Sequence, residues 1–89
     1  MATYMIGYDL NKPQQNYGEL IEAIKAYGNW WHHLDSTWII KTEDSAAQIR
    51  DNLAQHIDSN DELLVAKISA PAAWRGFDDK GSQWLKDNL

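Results

Sequence analysis

The sequence predicts an α+β fold, and three observations carry that prediction. Its apolar runs switch between the two-residue period of strands and the wider period of helices, in the order strand, helix, strand, strand, helix, strand. Turn-forming clusters separate those runs. Eighty-nine residues, 44% of them hydrophobic, supply one core and too little apolar surface for a second.

Thr3-Tyr4-Met5-Ile6-Gly7-Tyr8, closed by Asp9, is β-rich and reads as the first strand. Asn11-Lys12-Pro13 ends it, because proline has no N–H for a ladder. Asn16 followed by Glu19 has the spacing of a helix N-cap with its acidic partner. Tyr17, Leu20, Ile21, Ile24 and Tyr27 then recur on one helical face, and Gly28 suits the C-cap, so residues 16–28 are expected to be helical.

Residues 29–33 and 37–42 are rich in aromatic and β-branched side chains and flank Leu34-Asp35-Ser36, which predicts a hairpin with its turn at Asp35-Ser36. Ser45 and Gln48 form a capping-box pair, and Ala46, Ile49, Leu53 and Ile57 continue a second helix over 45–57. Asp58-Ser59-Asn60-Asp61 turns the chain into a fourth strand, 63–68. Residues 70–77 read as a loop carrying Trp74 and Phe77, and 81–89 as a short last helix.

The β-α-β-β-α-β order is that of the ferredoxin-like, split-βαβ sandwich. Right-handed crossovers then put both main helices on one face of an antiparallel sheet of order 4-1-3-2. Residues 1–69 form this domain, and 70–89 are a C-terminal extension expected to pack on it or on a dimer partner. The topology also gathers Asp9, Asp35, Ser36 and Asp61 at one end of the sheet, as an acidic rim.

Thirteen acidic and eight basic residues give a net charge of −5, with the cations scattered, which argues against tight non-specific binding of nucleic acid. Cysteine is absent, excluding disulfides and thiolate metal sites. With no signal segment and no apolar run of spanning length, a cytoplasmic protein without membrane attachment is expected.

Two readings of Asp9 stand side by side. A carboxylate at a strand exit can hold a hard cation such as Mg²⁺, or it can accept backbone N–H groups in the turn near Asn11. His33, Asp35, Ser36 and Asp61 are its candidate neighbours. His32 and His33 are adjacent on a strand, so they point to opposite faces and cannot chelate one ion together. The tryptophans are candidates for packing, with Trp30, Trp31, Trp38, Trp74 and Phe77 expected at an interface. No phosphate loop, nucleophile elbow or catalytic triad is recognisable.

At Tyr8-Asp9-Leu10, Ala26-Tyr27-Gly28 and Ser36-Thr37-Trp38-Ile39, the chain resembles the small CRISPR-associated adaptation subunit, out to about residue 69. Over nearly its whole length it resembles small prokaryotic proteins labelled SinR-family, through Trp30-Trp31-His32, residues 34–38 and Trp74-Arg75-Gly76-Phe77. That label implies a transcription regulator, yet two helices separated by strands are not a helix-turn-helix. The virulence-associated D ribonucleases are a third similar group.

The likeness to the adaptation subunit implies a ferredoxin-like homodimer. It also implies a Mg²⁺-dependent nuclease, or a degenerate nuclease scaffold, in which strand-1 aspartates of two subunits bind the metal. Asp9 alone carries over to that role, as metal ligand and catalytic residue. Those relatives carry Arg or Lys after the first strand and along the first helix, whereas this chain has Asn11 to Asn16 with a single Lys12, then Glu19 and Glu22. That departure counts against duplex binding. The alternative is a non-enzymatic module that binds a protein partner through a Trp-rich surface.

Overall fold

The structure, a computed structural model, describes residues 1–11 and 17–89. Its elements are β1 (Ala2–Asp9), α1 (Gly18–Lys25), β2 (Trp30–Leu34), β3 (Thr37–Thr42), α2 (Ala46–Ala54), β4 (Glu62–Ile68) and α3 (Asp79–Asn88). The four strands form one antiparallel sheet in the order β2-β3-β1-β4. This is the expected α+β class and the expected strand order.

Local chemistry explains most boundaries. Gly28 terminates α1 at a φ of +89°, a conformation glycine adopts without the clash a side chain would bring. The proposed cap Asn16 lies outside the described residues; Tyr17 occupies the position before α1 and makes no side-chain cap. Ser45 and Gln48 form the reciprocal capping box of α2, at 3.1 and 2.8 Å. α3 starts two residues earlier than expected because Asp78 caps it, accepting the Gly81 N–H at 2.7 Å. At the β2–β3 turn Ser36 takes a φ of 56°.

Side-chain alternation divides the core into two layers. Tyr4, Ile6, Trp38 and Ile40 face Leu20 and Ile24 of α1 and Ile49 and Leu53 of α2. The opposite face presents Trp31 and Ile39, covered by Leu85 of α3 with Trp74, Phe77 and Trp84. A sheet apolar on both faces needs a cover on each, and residues 70–89 supply the second. The Trp31 indole N–H donates to the Gly81 carbonyl at 3.1 Å, and the Thr3 hydroxyl to the Asn88 carbonyl at 2.7 Å, so both ends of α3 are bonded to the sheet. No helix among the described residues is long and apolar enough to cross a membrane.

Candidate functional site

The end of the sheet at which β1 exits gathers the acidic residues. Asp9 stands directly opposite Glu62 of β4, and the Tyr8 N–H donates to the Ser36 carbonyl at 3.1 Å. Two carboxylates on opposed strand positions repel, a local cost the fold accepts here. Asp9 is exposed, and its side chain has no hydrogen bond or ion pair with any described residue. The turn role expected for it belongs to Asp61 instead. That carboxylate accepts the Asn11 N–H at 2.8 Å, the Asp58 N–H at 2.8 Å and the Tyr17 hydroxyl at 3.1 Å. It ties the β1 exit and the start of α1 to the turn before β4.

Among the described residues no group of three or more His, Asp or Glu is placed to hold a metal ion. One chain offers Asp9 and Glu62 as a carboxylate pair, while Asp61 is committed to backbone and tyrosine donors. His33 is separated from Asp9 by one strand, since β3 lies between β2 and β1. It lies on the outer strand β2, with its ring 5.0 Å from Trp31 and 5.9 Å from Phe77. Asp35 and Ser36 are exposed turn residues.

The two histidines do occupy opposite faces. His32 stacks on Trp38 with ring centroids 3.8 Å apart, and Trp30 closes on Trp38 at 5.2 Å with the Lys25 ammonium above it at 5.5 Å. Loss of water from the stacked face lowers the His32 pKa, against an opposing pull from the Asp35 charge.

The tryptophans are spent largely on this chain's own packing. Trp31 and Trp38 are buried, and four of the five indole N–H groups donate within the chain: Trp31 to Gly81, Trp38 to the Tyr8 hydroxyl, Trp74 to Ser82 and Trp84 to Asn29. Trp30, 38% exposed, has no such partner among the described residues. Phe77 meets Trp31 edge-on at 4.9 Å.

A groove of about 350 Å³ remains between the second sheet face and residues 72–77. Met5, Trp31 and Leu34 of the sheet line it, together with Trp74 and Phe77. Among the described residues, Thr37 and Arg75 are the polar members of a lining that is otherwise apolar, and Arg75 is the one charged group there. Leu34, which also lines it, is 49% exposed. Neither Glu62, facing Asp9, nor Arg75 stands out in the sequence; antiparallel pairing of the first and fourth strands is the signal that brings Glu62 to Asp9.

No family model matches this chain, and no solved structure matches it.

Proposed function

We propose that this chain, a ferredoxin-like domain, is a protein-interaction module that takes an apolar peptide segment carrying a carboxylate. The groove beside Trp31, Trp74 and Phe77 supports this reading: its lining among the described residues is apolar apart from Thr37 and Arg75, and Arg75 is the one cation in it. Buried aromatic walls supply the affinity of such a site, and one charge orients the ligand. Selection of short peptides from a display library on the purified protein tests it. Apolar sequences bearing Asp or Glu should be enriched. Ala73→Trp, which fills the groove, should abolish their binding, and Arg75→Gln should weaken it by the roughly 1 kcal/mol of an exposed ion pair. No enrichment, or equal binding to Ala73→Trp, refutes the module.

A second reading rests on Asp9. Its carboxylate has no structural employment among the described residues and lies beside Glu62, which suits a Mg²⁺-dependent nuclease in which Asp9 is ligand and catalytic residue. Magnesium sites of this type use one or two carboxylates with water and substrate phosphates, and the bound ion acidifies a ligating water. Cleavage of RNA or DNA that requires Mg²⁺ and is lost in Asp9→Asn would favour this reading. Equal cleavage by the variant would end it.

A further inference from the structure

The pairing register sets one row of residues across all four strands. Leu34 of β2 stands opposite Thr37 of β3, Thr37 opposite Gly7 of β1, and Gly7 opposite Leu64 of β4. Alternation puts this row on the face of Trp31 and Ile39, away from α1 and α2. The cover supplied by residues 70–89 leaves it open: Leu34 is 49% and Leu64 58% exposed. A methyl group built on Gly7 would meet no atom within 4 Å beyond its chain neighbours.

Large side chains at the two ends of the row and small ones between them make a trough that runs along the strands. Three interstrand spacings of about 4.8 Å set its leucine walls about 14 Å apart. An α-helix, about 10–12 Å across with its side chains, fills that width. A single extended segment, about 4.8 Å wide in the sheet plane, leaves one wall uncovered. The trough is continuous with the groove, because Leu34 and Thr37 line both. Asp9 and Glu62 stand at its other end: they lie on the same face, two residues from Gly7 and Leu64, opposite each other and exposed. Neither carboxylate is bonded to a described residue.

We propose that the groove and the trough together receive an amphipathic α-helix of a partner protein, with its apolar stripe between Leu34 and Leu64 and a Lys or Arg beside Asp9 and Glu62. The proposal rests on the reading of the groove as a peptide site, and adds to it the helical form and the basic flank of the peptide. Helices held in grooves present apolar anchors at i, i+3, i+4 and i+7, which suits a trough walled by leucines. A cation beside Asp9 and Glu62 relieves the repulsion of two carboxylates on opposed strand positions, and an arginine fork can bond both. Charge also separates this occupant from a second copy: the chain carries −5, so two copies repel where a basic partner is drawn in.

A display library of helices, apolar at i, i+3, i+4 and i+7 and random elsewhere, panned on the whole chain, supplies the probe. Enriched helices should carry Lys or Arg at one end of the apolar stripe, and a central proline should abolish their binding. Gly7→Leu raises the trough floor into open space, so it should keep the far-ultraviolet circular dichroism and weaken these helices by about tenfold or more. Asp9→Asn combined with Glu62→Gln should weaken them by about fivefold, the scale of an exposed ion pair. The same double variant should leave unchanged the binding of helices whose Lys or Arg is replaced by Gln, as a double-mutant cycle requires. Binding lost in Ala73→Trp but intact in Gly7→Leu would keep the groove and overturn the helix in the trough. Enrichment without basic residues, tolerance of the central proline, or a wild-type dimer that Gly7→Leu dissociates would also overturn it. If Gly7→Leu fails to fold, Leu64→Asn at the exposed wall decides by the same weakening.

Discussion

His32 lies flat on Trp38, with ring planes 13° apart. Removal of water from the stacked face lowers the imidazole pKa below its ordinary 6.5, so the folded chain binds this proton less readily than the unfolded chain. The resulting stability is fully present above the depressed folded-state range and above 6.5, and it is lost as pH falls from 6.5 through the folded-state value. Urea denaturation at a series of pH values should show that loss. His32→Phe, which retains the stack without a titrating group, should flatten this part of the profile.

Asp61 and Asp9 stand at the same end of the sheet with opposite structural weight. Asp61→Ala strands the Asn11 and Asp58 N–H groups and the Tyr17 hydroxyl, and should cost about 2–3 kcal/mol of unfolding free energy, the scale for hydrogen bonds to a charged group. Asp9→Asn removes no hydrogen bond to a described residue and relieves repulsion with Glu62, so it should lie within about 0.5 kcal/mol of wild type. Chemical denaturation of the two variants side by side checks the contrast.

Gly81 lies in the first turn of α3, where alanine would normally gain up to about 1 kcal/mol through helix propensity. Its added methyl would stand 3.0 Å from His33 Nε2 and 3.2 Å from Asp78 Oδ1. Gly81→Ala should therefore be neutral or destabilising in the wild-type background. In a His33→Ala background it should turn stabilising. A double-mutant cycle reads that change of sign directly.

Leu85 is the buried anchor of α3 on the second face. Truncation to alanine should cost about 2–5 kcal/mol, as for other buried leucines. Hydrogen exchange should show the Trp31 indole N–H, held by the Gly81 carbonyl, losing protection before the amides of β1.

What could be read from residues alone depended on how far apart the partners lie in the chain. The capping box is visible because Ser45 and Gln48 are three residues apart, and the α1 terminus because Gly28 alone signals it. Strand alternation sends Trp30 and Trp31 to opposite faces, but it carries no sign that α3 covers the side bearing Trp31. Asp61 gave no local sign of its role, because Asn11 and Tyr17 lie 50 and 44 residues away. Sequence alone therefore offers Asp9, the carboxylate nearest Asn11, as the candidate for the turn role beside its cation-binding reading. The partition of the aromatic residues at the groove likewise depends on how 72–77 crosses the sheet, which no local pattern encodes.

The bond from the Thr3 hydroxyl to the Asn88 carbonyl joins residues 85 positions apart. During synthesis the helix layer of α1 and α2 can settle on the growing sheet while α3 is still inside the ribosome. The face bearing Trp31 and Ile39 has no such early cover, because Trp84 and Leu85 follow all four strands in the chain. A nascent chain therefore passes through a stage with one layer built and an adhesive aromatic surface open to its surroundings. Chaperone engagement belongs to that interval, which lasts until α3 has been made and has left the ribosome.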